Sequence, residues 1–143
     1  MHLLQRHLDF RFFFRICAMS MILMYVSSCG LCANRVIFQV VSPNRSIKAV
    51  VFERDCGATT GPNIQVSVIP ADSLLPDDKG NVFIEDHNRP LSTSQPIKIS
   101  WKSDADLQIT FNQNDNVFAE NTTCSVMVGP LRWKTIRISY VKV

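Results

Sequence analysis

The sequence predicts an all-β fold, a small antiparallel β-sandwich or barrel-like domain of about seven or eight strands after an N-terminal signal helix. From residue 36 onward, β-branched and aromatic residues recur in short runs separated by Pro, Gly, Asn and Asp. This spacing is typical of antiparallel strands joined by turns. No segment of the same region keeps a helical period, so the apolar residues favour sheets over helices.

The predicted strands follow one another along the domain at residues 36–41, 47–54, 64–69, 82–85, 97–101, 107–111, 126–128 and 134–143. Strict alternation in the fifth and sixth runs puts apolar side chains on one face and polar side chains on the other. Such strands suit two layers with one face inward and one face wet. We expect Trp101 and Trp133 to fill the core between the layers.

Turn-forming residues cluster at 42–45, 71–80 and 112–116. The middle cluster contains Pro76 and ends in Asp-Asp-Lys-Gly. Its composition predicts a long, polar and mobile surface loop.

The N-terminal region combines a basic start with a short apolar run. Arg6, Arg11 and Arg15 precede the apolar residues 16–25, and Val-Ser-Ser-Cys-Gly follows at 26–30. This order resembles a bacterial lipobox, in which the cysteine after a small-residue cleavage site accepts lipid. It predicts a lipoprotein signal peptide at 1–28, lipidation of Cys29, a lipid-anchored tether at 29–35 and a single all-β domain at 36–143.

Two alternatives for the leader stay open, namely an uncleaved membrane anchor over residues 16–33 and a plain secretory signal. All three interpretations place the domain outside the cytoplasm, in the bacterial cell envelope. In a cell with two membranes, this means the outer membrane or the periplasmic face. The expected partners are the membrane, reached through the lipid anchor, and an unidentified envelope protein or ligand.

Charge excludes one class of partner. Cleavage before Cys29 would leave 115 residues with 12 basic and 11 acidic side chains. A nearly neutral chain with scattered charges lacks the basic face that nucleic-acid binding requires. We therefore expect no nucleic-acid partner.

The cysteines suit an oxidising compartment. With Cys29 lipidated, Cys32, Cys56 and Cys124 remain in the mature chain, so two can pair and one is left over. We favour a disulfide between Cys56 and Cys124, each of which adjoins a predicted strand, with Cys32 as the alternative partner of Cys56. Because Ala33 follows Cys32, the C-x-x-C at 29–32 does not match a haem attachment motif.

The stretch from Ser42 to Gly61 contains Lys-Ala-Val-Val-Phe-Glu-Arg-Asp-Cys-Gly-Ala-Thr-Thr. It resembles a family of small, uncharacterised bacterial envelope lipoproteins, whose members carry a strand followed by R-D-C-G-A-T-T. The likeness continues through residues 65–70 and 80–84. It departs at the first turn, where the family tends to show S-P-D-G-K. The resemblance implies the same location and fold, and it implies no reaction.

The loop after the second predicted strand is the densest cluster of polar and small residues. As a binding loop, it would present donors and exposed backbone N–H groups to a ligand. As a structural loop, it would be a disulfide-held turn whose side chains satisfy nearby backbone groups, and this second interpretation is favoured. The candidate binding residues are Arg54, Asp55, Gly57, Thr59, Thr60 and Gly61.

Catalytic and metal chemistry have little support in the sequence. Cys56 would need His87 as a base, and in an oxidising compartment we expect a disulfide at Cys56 instead. The acids at 77–78 and 85–86 lack the ligand spacing of a known metal site. We therefore predict no enzyme activity, no catalytic residue, no metal and no cofactor. The leading hypothesis is a non-enzymatic binding or structural module, and the alternative is an inhibitor or immunity-type module that blocks a hydrolase with the 54–61 loop.

Overall fold

The fold is described from a computed structural model, which covers residues 32–57, 61–86 and 97–143. All of them belong to the compact unit Cys32–Val143. In these ranges the protein is all-β, as predicted, and contains no helix that could cross a membrane. The predicted signal helix and Cys29 lie outside the described residues. The strands are β1 (Ala33–Val41), β2 (Ile47–Asp55), β3 (Asn63–Pro70), β4 (Phe83–Asp86), β5 (Ile97–Trp101), β6 (Asp106–Phe111), β7 (Asn116–Glu120), β8 (Thr123–Gly129) and β9 (Arg132–Lys142).

The strands form two sheets that pack face to face. Sheet A has the order β1-β2-β3-β4-β7, and sheet B has the order β5-β6-β9-β8. Neighbouring strands are antiparallel except β6 and β9, which run parallel. The exception arises because the chain leaves sheet B after β6, forms β7 in sheet A, and returns through β8.

The ninth strand in the described ranges is β7, which the sequence did not predict. It begins at Asn116, the last residue of the Asn-rich turn signal. Val117 and Ala119 of β7 pair with β4 and are partly shielded from solvent. The strand exists because β4 offers it a free edge, which is a tertiary contact that local composition does not record.

The core lies between the two sheets and is built by alternation. Ile47, Ala49 and Val51 of β2 face residues such as Ile109 and Ile136 of sheet B, and all five are buried. The alternation predicted for residues 97–101 and 107–111 is confirmed, since the apolar positions of both runs belong to this cluster.

Both tryptophans were expected to fill the core, and the expectation is wrong for Trp133. Trp101 packs against the core, and its Nε1 donates to the carbonyl oxygen of Val40 at 3.0 Å. Trp133 is 62% exposed. On β9 it stands an odd number of residues from Ile136, which is buried, so its side chain belongs to the opposite face of the strand.

The loop at residues 71–80 is not a free surface loop as expected, because it lies on the outer face of sheet A. Leu75 of the loop packs there on Val50, Phe52 and Ile69. β2 is consequently buried on both faces, with Val50 and Phe52 outward and the main core inward. A strand covered on both sides reads as a continuous apolar run, as residues 49–52 do.

Hydrogen bonds hold this loop along its length. Asn34 Nδ2 donates to the carbonyl oxygens of Pro76, at 3.0 Å, and of Asp78, at 2.8 Å. The backbone N–H of Gly80 donates to Gln65 Oε1. The Gly80 bond is buried, so it satisfies a backbone N–H that would otherwise lack a partner against the sheet.

The disulfide joins Cys32 to Cys56, with the Cα atoms 4.0 Å apart. The alternative partner is therefore the one found, and the favoured pairing of Cys56 with Cys124 is wrong. The strand register explains the correction. Ala33 lies opposite Asp55 in the β1–β2 pair, so Cys32, just before Ala33, lies opposite Cys56, just after Asp55. Cys124 is a free, partly buried thiol on β8 of the other sheet.

Candidate functional site

The first candidate, Arg54 in the predicted binding loop, is used internally. Its Nη1 donates to Asn34 Oδ1 at 2.7 Å and lies 3.4 Å from Asp77 Oδ1. Only 14% of the Arg54 side chain is exposed. Arg54 therefore fastens the 71–80 loop to the edge of sheet A and does not present its guanidinium to a ligand.

The next residues form a local turn at the disulfide. Asp55 Oδ1 accepts the backbone N–H of Gly57 at 2.8 Å. Gly57 has φ +90°, a left-handed conformation that favours glycine. These contacts agree with the structural interpretation of the loop. Thr59 and Thr60 lie outside the described residues, and Gly61 is exposed.

The three cysteines that the structure describes offer no ready nucleophile. Cys56 is bonded to Cys32, and His87, its hypothetical base, lies outside the described residues. Burial raises the pKa of the Cys124 thiol to about 11, so Cys124 is protonated at neutral pH. A thiol in that state is a poor nucleophile and a poor metal ligand.

The acidic residues are dispersed. Asp77 pairs with Arg54, and Glu85 is fully buried on β4. In the ranges that the structure covers, no three His, Cys, Asp or Glu side chains are grouped as metal ligands.

A cleft of about 550 Å³ opens at the end of the sandwich opposite the disulfide, and the sequence did not point to it. We call it the distal cleft. It runs between the end of β3 and the end of β8, and so it spans the gap between the two sheets. Its lining consists of Arg45, Ser46, residues 70–73 and residues 127–130.

Turns from both sheets fix the walls of the distal cleft. Arg45 has φ 58° in the β1–β2 turn, where Asn44 Oδ1 accepts the backbone N–H of Ser46 at 3.1 Å. The Asn44 N–H donates to Asp104 Oδ1, at 2.8 Å, in the β5–β6 turn of the other sheet. Lys134 Nζ donates to Ser46 Oγ at 3.3 Å. These hydrogen bonds join turns of both sheets at the distal cleft.

Beside the distal cleft, the β8–β9 hairpin exposes apolar side chains. We call residues 127–134 the hairpin tip. Leu131, with φ 60°, is 97% exposed at the turn. Met127 and Trp133 are register partners, 49% and 62% exposed. The tip extends past β6, which pairs with β9 only from Arg137 onward.

One sequence signal could have located the hairpin tip. Residues 126–128 and 134–143 were predicted as strands, and Gly129-Pro130 lies between them. Extending the β9 alternation backward from Ile136 puts Trp133 on the outer face. The distal cleft had no comparable signal, because its walls come from three segments, 45–46, 70–73 and 127–130, that are distant in the sequence.

No protein-family model, curated protein or solved structure matches this chain. The resemblance of residues 42–61 to small envelope lipoproteins stays a prediction.

Proposed function

We propose that this protein is an exported, lipid-anchored envelope protein whose β-sandwich is a non-enzymatic binding module. The observation that carries the location is the Cys32–Cys56 disulfide. Disulfides persist in oxidising compartments outside the cytoplasm, which is where a lipoprotein signal delivers its chain. The bond engages Cys32 and Cys56, so it does not involve Cys29, which the lipobox resemblance predicts as the lipid acceptor.

The distal cleft and the hairpin tip support the binding role. A concave site between the sheets, next to exposed Met127, Leu131 and Trp133, is the kind of surface that takes a ligand or partner. It is formed by backbone turns with few reactive groups. This composition favours recognition over chemistry.

The inhibitor alternative, which would act through the 54–61 loop, loses one of its candidate contact residues. Arg54 binds Asn34 and Asp77 within the domain. Extracting it would break two contacts that hold the 71–80 loop. The envelope binding module is therefore the better supported proposal.

Intact mass under non-reducing conditions tests the location. Natively expressed protein is expected to lack residues 1–28, to carry a diacylglyceryl group on Cys29 and to contain the Cys32–Cys56 bond. Cys29→Ser is expected to prevent acylation and to leave the disulfide unchanged. An unprocessed chain with a free Cys56 contradicts the proposal.

Photo-crosslinking in cells tests the binding role. A photoreactive residue replacing Ser73 in the distal cleft is expected to yield a discrete adduct. The same residue replacing Asp77, which is exposed on the loop over sheet A, is the matched control. Equal labelling from both positions, or none from Ser73, contradicts a specific site at the cleft.

A further inference from the structure

We propose that the free edge of β8 takes an extended segment of a partner protein as an added β-strand, which runs along β8 into the distal cleft. The inference rests on the binding role proposed above and names the class of ligand. Three observations lead to it: the unpaired backbone groups of β8, the absence of charge along this edge, and the continuity of the edge with the cleft.

One side of the β8 backbone has no neighbouring strand in the ranges that the structure covers. The Ile138 N–H donates to the Thr122 carbonyl oxygen at 2.8 Å, and such hydrogen-bonded pairs recur at every second residue of an antiparallel pair. The N–H and C=O groups of Thr123, Ser125 and Met127 therefore point away from β9, toward the free edge. Each of these residues offers one donor and one acceptor to a chain that lies beside it.

β8 lacks the features that protect the other edge strands of the described sheets. Its seven residues include no charged side chain and no proline, and its register shift begins only after Met127. β1 carries Arg35 and has a register shift in the middle of the strand. β5 and β7 have only five residues each, and they carry Lys98 and Glu120. Charge, irregularity and short length keep sheet edges from pairing, so β8 is the edge suited to a partner strand.

The edge is continuous with the distal cleft. Residues 127–129, at the end of β8, line the cleft together with residues 70–73 at the end of β3. A segment that pairs with Ser125 and Met127 is thereby led into the cleft. In complexes of this kind, main-chain hydrogen bonds supply affinity and side-chain pockets supply specificity. The partner side chain opposite Met127 is expected to be apolar, since cross-strand neighbours on one face pack together.

A second copy of the chain is the less suitable occupant. Two β8 edges would meet along seven residues, which is a small contact beside the roughly 1,200 Å² that stable complexes bury. For a peptide, the cleft of about 550 Å³ adds a second place of attachment to the edge.

Substitutions at Ser125 separate backbone pairing from side-chain contact. With the photoreactive residue at Ser73, Ser125→Pro is expected to lower the yield of the adduct about tenfold or more, because proline removes the donor from the edge. The β8–β9 pairing does not use this N–H, and proline is tolerated at such edge positions. Ser125→Ala keeps the N–H and is expected to leave the yield unchanged.

Urea unfolding of both variants shows whether the domain is intact. If Ser125→Pro unfolds it, Ser125→Lys takes its place and is expected to lower the yield about fivefold, since lysine on an edge opposes strand pairing. Its matched control is Ser100→Lys, the same substitution on β5 at the opposite edge of sheet B, which is expected to have no effect. Equal losses in a test variant and its control overturn the proposal.

The cross-linked segment supplies a synthetic probe. Mass spectrometry of the adduct identifies it, and peptides of this sequence with one N-methylated amide each are titrated against the full chain. Methylation at every second residue is expected to lower the affinity about tenfold or more, and methylation between those residues to leave it unchanged. The reason is that alternate amides of an added strand face β8.

Three results overturn this proposal alone: equal sensitivity to methylation at all positions, an adduct that Ser125→Pro retains in full, or an adduct between two copies of the chain. In the first two cases the Ser73 adduct still supports the binding role. No adduct from Ser73 overturns both the binding role and the strand addition.

Discussion

The outer faces of the two sheets are built from the same alternation and end in opposite environments. On sheet A, Val50 and Phe52 point away from the main core, yet they are 1% and 0% exposed because Leu75 and its loop cover them. On sheet B, Met127 and Trp133 also point away from the core and are about half exposed. Alternation assigns a side chain to a face, and a distant segment decides whether that face is dry.

The difference has a cause in the length of the connections. The β3–β4 connection is long enough to cross a sheet, and Asn34, Arg54 and Gln65 supply the hydrogen bonds that keep it there. The β8–β9 connection is a tight turn at Pro130-Leu131, which leaves nothing to fold back over Trp133. One face therefore contributes to stability, and the other stays available for contact.

Truncating the two outward aromatic residues should give the largest contrast. Phe52→Ala is expected to lower the free energy of unfolding by about 3–5 kcal/mol, because it empties a closed apolar site. Trp133→Ala should change it by about 0.5 kcal/mol, as for other surface positions. Urea unfolding of both variants measures the difference. Similar losses would mean that the 71–80 loop does not cover Phe52 in solution.

Removing the disulfide should be the next largest effect. The bond closes a sequence separation of 24 residues, for which chain entropy gives about 3.5 kcal/mol. Cys32→Ser is expected to cost about that much in urea unfolding. Cys124→Ala, at a partly buried free thiol, should stay within about 1 kcal/mol. A bond between Cys56 and Cys124 in peptide maps of the unmodified protein would contradict the pairing.

Gly80 tests how closely the loop approaches sheet A. A Cβ at this position would lie 2.9 Å from the Val66 carbonyl oxygen and 3.0 Å from that of Phe83. Gly80→Ala is expected to destabilise by about 1–3 kcal/mol, since backbone must move to admit the methyl group.

The matched control is Gly129→Ala on β8, where a Cβ meets nothing within 4 Å. Gly129→Ala is expected to change the free energy of unfolding by about 0.5 kcal/mol or less. Thermal unfolding of the two alanine variants should separate them clearly. Equal melting temperatures would show that the loop stands further from the sheet.

The smallest effect is expected on the outer face of sheet B, at the Asp106–Arg137 pair. Hydrogen bonds from Arg137 and then Ser103 lower the pKa of Asp106. A lowered carboxyl pKa gives stability above the unfolded value, near 3.9, that is lost as the pH falls toward the folded value. Asp106→Asn should therefore reduce the fall in unfolding free energy between pH 5 and pH 3.

The effect is small because the pair is exposed to water, which screens it. Asp78→Asn, the same substitution on the loop over sheet A, provides the comparison. Unfolding by urea at both pH values supplies the measurement. If the unfolding free energy falls as steeply between pH 5 and pH 3 in Asp106→Asn as in the unmodified protein, the ion pair adds no stability.

Parts of this arrangement follow from local sequence. The strands carrying Ile97, Ile99, Leu107 and Ile109 were predictable because each has a polar partner at every second position. The structural role of the 54–57 turn was the favoured interpretation, and Asp55 and Gly57 form such a turn. The outcome for Arg54 depended on Asn34 and Asp77, which lie about 20 residues away on either side.

The sequence by itself determined the all-β class and most strand positions, because alternation and turn residues act over a few neighbouring residues. Only the tertiary structure decided the partner of Cys56, the existence of β7, the cover over Phe52, and the distal cleft. Each of these depends on which segments register or pack across the sandwich. Contacts of that kind are set by the packing of the whole domain, and no local pattern of residues encodes them.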